Sequence, residues 1–461
     1  MLRHERSSSV YCAYLIKGSE NVSRHILVWA LGLVVALGGV TRALAQQPTE
    51  REKELLKKIE ALEKRVGELE KKGTPAKPAE GAAEKKAEGE ALRAYWKDGL
   101  RFDNTDGSVK LQIGALIQDD WASIAEDGPK TAGTRGGTEF RRARVSIAGT
   151  VHDKVEFKAE YDFAGGATRL VDVYAGLLGV PYVGTIRAGH FKEPLSLEWL
   201  TADASCTFME RSLPNALVPD RNVGLMLTNT CMKDRLTWAA GVFHNADEFG
   251  KGLGQNADFT GRVTGLPCYK GDNQFVHVGF GLSFRNPADD TLRYSSRPEA
   301  HLAPNLVDTG AVAADSVTLL GGEIAAVYKR ASLQGEYVAS KVNPVAAGPD
   351  LDFSGYYVTG SYFLTGESRP YRKTTGVFDR VRPKHNFMDG KGGLGAWEVA
   401  ARYSALDLSD GAILGGKLTD WTLGVNWYLN PTARVSLNYV MADTSANPDE
   451  RIVEMRTQIS F

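Results

Sequence analysis

From about Val109 to the carboxy terminus the dominant period of the sequence is two. In residues 421–429, Trp421, Leu423, Val425, Trp427 and Leu429 alternate with Thr422, Gly424, Asn426 and Tyr428. Successive side chains of a strand point to opposite faces, so this segment is greasy on one side and wettable on the other. The pattern returns over residues 155–163, where Val155, Phe157, Ala159, Tyr161 and Phe163 oppose Glu156, Lys158, Glu160 and Asp162, and again over 397–403, 433–439 and 453–461. One such strand could lie on the surface of a soluble sandwich. A long series of them, with aromatics gathered near segment ends, is what a barrel with a lipid-facing exterior and an aqueous bore requires.

About sixteen segments of this kind can be counted, beginning near Val109, Glu139, Val155, Arg169, Thr185, Asn222, Arg235, Ala257, Val276, Ser316, Ser332, Phe353, Gly395, Leu418, Ala433 and Arg451. The expected fold is all-β: a sixteen-stranded antiparallel transmembrane β-barrel over residues 99–461. An even strand number brings both ends to one, periplasmic, side, and short turns should alternate there with longer outer connections. Residues 152–154, 329–330 and 430–431 read as short turns, and 120–138, 192–221 and 287–315 as long connections. Residues 365–393 break the rule, being long where a turn is due, which suggests a segment folded into the pore. The last residues, Met455-Arg-Thr-Gln-Ile-Ser-Phe461, end on an aromatic in the lipid-facing register.

The amino-terminal region reads differently. Residues 26–40 are an apolar run after Lys17, Arg24 and His25 and before Ala43-Leu44-Ala45, the order of a secretory signal peptide spanning 1–45. The run is shorter than the ~20 residues of a spanning helix, and nothing downstream reaches that length. In 46–72, Leu55, Leu62 and Leu69 share one heptad position and Ile59 and Val66 the other, predicting a coiled-coil stalk. Residues 73–98, rich in Pro, Ala, Gly, Lys and Glu, predict a flexible linker. Lys and Arg number 55 against 56 Asp and Glu. That balance gives no global field for nucleic acid, so any preference for charged solutes must be local. Cys206, Cys231 and Cys268 remain after signal removal; Cys231 and Cys268 both fall in expected inner turns, so a disulfide is open between them.

Several spaced segments resemble the phosphate-selective porin O and P family: Phe140-Arg-Arg-Ala-Arg144, Tyr161-Asp-Phe163, Phe191-Lys-Glu-Pro194, Phe208-Met-Glu-Arg-Ser-Leu-Pro-Asn215, Arg221-Asn-Val-Gly224, Leu364-Thr-Gly-Glu367 and Leu423-Gly-Val-Asn-Trp-Tyr428. The resemblance implies a homotrimer of sixteen-stranded barrels in outer-membrane lipid, each bore narrowed by a third loop, here 192–221. It also implies a ladder of basic residues guiding small anionic solutes. Arg141 and Arg142 match the family's basic pair, and Asp172 its acidic residue near the constriction. Two positions depart from the phosphate-specific pattern. Ala115 stands for an arginine of the first strand and Trp199 for a lysine of the third loop, which weakens the expectation of strict phosphate selectivity.

The candidate pore-lining residues are Arg141, Arg142, Arg144, Arg187, Lys192, Arg211, Arg221 and Asp172. Arg142 and Arg144 share the wettable face with Ser146, and Arg187 shares its face with Gly189. Pairing with Glu156, Glu160 and Asp162 would make the arginines wall stiffeners instead. For Lys192 and Arg211 the neighbouring Glu193 and Glu210 allow loop anchoring as readily as solute steering. None of the eight histidines has ligand spacing, and neither G-x-S-x-G nor H-E-x-x-H is present, so no enzyme, metal site or cofactor is expected. Passive diffusion of small hydrophilic solutes, with anions preferred, is the leading expectation. The alternative is a structural tether, through the stalk, between the outer membrane and the cell wall.

Overall fold

A computed structural model describes residues 92–461, except 127–133, 248, 253–255 and 446–448, together with Lys57 and Lys64, both helical. The signal peptide expected over 1–45 lies outside the described residues. So, apart from those two positions, does the coiled coil of 46–72.

The barrel strands are β1 (Val109–Glu126), β2 (Thr134–Val151), β3 (Val155–Asp162), β4 (Arg169–Val180), β5 (Gly184–Lys192), β6 (Arg221–Cys231), β7 (Leu236–His244) and β8 (Asp258–Tyr269). They continue as β9 (Gln274–Arg285), β10 (Val312–Tyr328), β11 (Ala331–Pro344), β12 (Leu351–Phe363), β13 (Ala396–Asp410), β14 (Ile413–Tyr428), β15 (Ala433–Thr444) and β16 (Glu450–Ser460). Each pairs antiparallel with the next. β16 closes on β1 from Glu450↔Glu126 to Ser460↔Leu116, so no barrel edge is left open. The expected starts are met within five residues, Glu139 against Thr134 and Leu418 against Ile413 being furthest off.

Burial runs opposite to that of a soluble core. On β14, Trp421 is 49% exposed and Leu423 47%, while Thr422 is 0% and Asn426 1%. Apolar side chains thus face outward, and the polar ones are enclosed, as a bilayer demands. Near the turn after β14, Trp397 stacks on Trp427 with centroids 5.2 Å apart, an amphipathic pair of the kind that sits at a membrane interface.

Three expectations need correction. Strands β1 and β2 run to Glu126 and from Thr134, so most of 120–138 is wall and not loop. Leu92–Trp96, inside the expected linker, is a strand paired with Leu100–Asn104, which in turn pairs with β1. Tyr95 Oη donates to Asp103 at 2.8 Å and the Trp96 ring meets Phe461 at 5.3 Å, contacts that order this end. Finally, Cys231 and Cys268 are exposed free thiols. Cys231 pairs with Leu236 of β7, which pairs onward with Gly265 of β8. Two strand spacings, about 9–10 Å, separate their rows, beyond the Cα reach of a disulfide.

Candidate functional site

Three connections turn into the bore: 193–220, 286–311 and 364–395. The first leaves β5 and packs Leu195, fully buried, over the facing glycines Gly281 and Gly321 of β9 and β10. A Cβ on Gly281 would come 2.4 Å from Leu195 Cδ1, so this close approach needs glycine. Ser196 caps the single helical turn Leu197–Leu200, its Oγ accepting from Trp199 N at 3.1 Å. Glu336 of β11 accepts the Leu197 and Glu198 amides at 2.8 and 2.7 Å.

The stretch of this loop from Glu198 to Glu210 is gripped by the last strands. Arg402 of β13 reaches Glu198 at 3.0 Å, and Arg434 of β15 donates to the Cys206 carbonyl at 2.6 Å. Arg456 of β16 donates to the Met209 carbonyl and, at 2.7 Å, to Glu210. The loop therefore crosses the bore from one wall to the other. The 286–311 connection enters behind it: buried Glu299 takes Arg402 at 2.5 Å and Ser404 at 2.5 Å. The 364–395 connection comes from the short-turn side, and Arg369 donates to the Ser205 carbonyl of the third loop at 2.5 Å. That places 365–393 in the bore, as its length had suggested.

On β2 the basic pair owes its arrangement to a bulge. Gln118 faces Arg142 and Asp119 faces Phe140, leaving Arg141 as the extra residue. A bulge re-aims side chains that strict alternation would send apart. Phe140 points outward, while Arg141 bonds Glu210 at 2.9 and 3.0 Å and Arg142 reaches Asp203 at 3.3 Å. Asp203 also takes Arg144 at 2.5 Å and Arg211 at 2.7 Å. Burial alone would push the Asp203 and Glu210 carboxyls up. The cations around them, Arg142, Arg211 and Arg144 for the first and Arg141, Arg456 and Arg142 for the second, hold both well below the usual carboxylate range.

A cavity of ≈ 230 Å³ opens beside this cluster, between the wall and the third loop. Its ionisable side chains are Arg144, Lys158, Lys192, Arg221 and Arg380 against Glu160, Asp172 and Asp203, five basic to three acidic. All three acids are engaged: Lys158 holds Glu160 at 2.6 Å and Asp172 at 2.8 Å, and Arg221 holds Asp172 at 2.8 Å. Lys192 and Arg380 reach no carboxylate at ion-pair distance among the described residues. Lys192 Nζ donates to the Trp199 carbonyl at 2.5 Å and sits 4.4 Å from that ring's centre.

Of the eight candidates, Arg144, Lys192, Arg221 and Asp172 line the cavity, and Arg141, Arg142 and Arg211 stand behind it on Asp203 and Glu210. Arg187 is apart, bonded to Glu156 at 2.9 Å with its guanidinium 4.0 Å over Tyr174, the wall-stiffening arrangement. Sequence reasoning missed Lys158, Arg380, Arg402, Arg434 and Arg456. The period-two register carries a signal for the last three: Arg402 with Ser404, Arg434 with Ser436 and Asn438, and Arg456 with Glu454 and Gln458 all occupy wettable faces. Arg380 lies outside any strand and has no such signal.

Residues 112–461 match the family described as phosphate-selective porin O and P. The chain belongs to that family. This porin resides in the outer membrane. Porin O of Pseudomonas aeruginosa is 26% identical to it over 387 residues, 76% of this chain and 86% of that protein. An uncharacterized protein of Caulobacter vibrioides is 29% identical over 390 residues, 80% of this porin and 73% of that protein. The outer membrane channel DcaP of Acinetobacter baumannii is similar in structure, with a TM-score of 0.50 at 11% identity, covering 78% of this porin and 99% of that chain. At that identity the likeness speaks for the barrel fold alone.

Proposed function

We propose that this porin passes small hydrophilic solutes by passive diffusion and favours anions, phosphate and related oxyanions among them, as a homotrimer with one bore per barrel. The observation that carries the reading is the excess of basic over acidic side chains in the cavity lining, five against three, with every acidic side chain of the lining already engaged. Uncompensated charge in a narrow passage with low-dielectric walls concentrates ions of the opposite sign. Ala115 adds only a methyl to that lining, and Trp199, outside it, sets a ring beside Lys192 and Arg211. Neither adds charge, which favours anions as a class over a dedicated phosphate site. The trimer is carried from the family resemblance, and light scattering of the detergent-solubilised protein checks it.

The selectivity is read from the reversal potential of single channels in a planar bilayer under a potassium chloride gradient. Anion preference is expected, reduced in Lys192→Gln. A reversal potential of the sign set by potassium permeation overturns the reading.

A further inference from the structure

The 364–395 connection does not end in the bore. Inside, Val381 packs with Phe363, Ala396 and Tyr428. Beyond Val381 the chain wraps around the short-turn end of β13 and β14 and lies against their outer face. There Trp397 and Trp427, strand neighbours of Ala396 and Tyr428, occupy the lipid-facing register and pair with each other. The Leu394 carbonyl accepts from both indole N–H groups, at 3.2 and 2.9 Å, and the Phe387 ring meets Trp427 edge-on at 4.7 Å. The Phe387 amide donates to the Leu429 carbonyl at 2.7 Å. Residues 386–394 also close on themselves. The Met388 amide donates to the Gly393 carbonyl at 3.1 Å, and Asp389 accepts the Lys391 and Gly393 amides at 2.8 and 3.0 Å.

What this loop shows to its surroundings is apolar and basic. Met388 is 78% exposed and Leu394 66%, near exposed Leu364 and Tyr362 of the outer wall. Lys384 and Lys391 are exposed on the loop, and Lys329 and Arg330 on the turn between β10 and β11. None of the four reaches a carboxylate at ion-pair distance among the described residues. A Cβ on Gly366 would lie 3.2 Å from Lys384 Nζ and 3.5 Å from Arg330 Nη2, so the turn and the loop present their charges side by side. Asp389, the one acid between Arg380 and Ala396, is turned in on the amides it caps. Lipid, not a second copy, fits this face. A tilted strand needs about nine to eleven residues to cross the hydrocarbon, and β12, β13 and β14 have 13, 15 and 16. The wall that calls for a protein neighbour is at β3, which has only 8. We propose that residues 384–394 form an interfacial foot that takes anionic phospholipid of the periplasmic leaflet. Met388 and Leu394 enter the acyl region, while Lys384, Lys391 and Arg330 meet the headgroup. Membrane-surface segments bind in this way, through buried apolar area together with attraction to anionic lipid. Only Arg382 and Pro383 separate Val381 from Lys384, so the connection that helps fill the bore is also tied to the membrane. The inference goes beyond the reading of what the bore conducts and does not depend on it.

The test uses the full-length protein with Cys231→Ser and Cys268→Ser, which leaves only the buried Cys206 among the described residues. A bimane fluorophore is carried on Met388→Cys, in nanodiscs of mixed phosphatidylglycerol and phosphatidylcholine. A nitroxide on the acyl chain of one lipid or the other quenches the bimane on contact. Quenching by labelled phosphatidylglycerol should exceed that by labelled phosphatidylcholine about fivefold, the scale of one surface cation acting on anionic lipid. The preference should fall towards parity in high salt and in a Lys384→Gln, Lys391→Gln, Arg330→Gln variant. It should persist in Lys233→Gln, on the turn between β6 and β7. Equal quenching by the two lipids before any charge is removed, or a preference unchanged in the triple variant, overturns the proposed headgroup recognition. Quenching by neither lipid means that water or a second copy covers the loop, and overturns the docking altogether. The comparison of the two lipids needs no charge substitution, so it decides the matter even if the triple variant fails to assemble.

Discussion

At the residue scale the bore is a set of buried ions that would be costly singly and are held because they come in groups. Arg456, 1% exposed, serves Asp120 at 2.6 Å and Glu210 at 2.7 Å from the seam strand. Removing one partner of such a group leaves uncompensated charge in a low-dielectric place, which costs about 3–5 kcal/mol. Arg456→Ala should lower barrel stability by that amount in urea unfolding from lipid vesicles; a loss under about 1 kcal/mol would mean that the network is incidental. Much of this was legible in the sequence, because a charged residue on the wettable register of a membrane strand must face the bore. The partner of each charge was not. Arg187 and Arg142 look alike as text, yet one stacks on Tyr174 and reaches across Gly176 to Glu156 two strands away, whereas the other joins the cluster at Asp203. What divides them is how the inserted loop lies, and that is set by contacts hundreds of residues apart.

At the element scale the third loop is decisive. Its existence and span were readable from length alone, since residues 193–220 lie where the strand pattern lapses. Its path was not, because it depends on where Gly281, Gly321 and Gly424 open room in a wall of larger side chains. The bulge at Arg141 likewise escaped a strict period of two. The loop's two key acids, Asp203 and Glu210, titrate below their ordinary value, about 4 for such groups. Their contribution is thus fully present above that value and is lost only as pH falls through the depressed folded values. The difference in single-channel conductance between the parent and an Asp203→Asn, Glu210→Gln double variant should therefore stay level from pH 7 to about 4 and shrink only below. A difference that already shrinks between pH 6 and 5 would show that the loop is not held by these carboxylates.

At the scale of the whole molecule, the described residues that line the cavity all lie between Ala115 and Phe461. A chain lacking 49–90 should therefore conduct as the full chain does, in the same bilayer measurement; altered conductance would assign the upstream segment a part in permeation. The barrel itself was legible because lipid outside and water inside impose the same alternation on every strand. The closing arrangement has a bearing on how the protein is made. The constriction's grips, Arg402, Arg434 and Arg456, reside on β13, β15 and β16, while the loop they hold departs from β5. Until those late strands are in place, the loop is tied through Asp203 and Glu210 to β2 but has no hold on the far wall. A half-built wall thus carries a filter fastened on one side, and the channel acquires its narrow gauge only at the moment its seam is zipped.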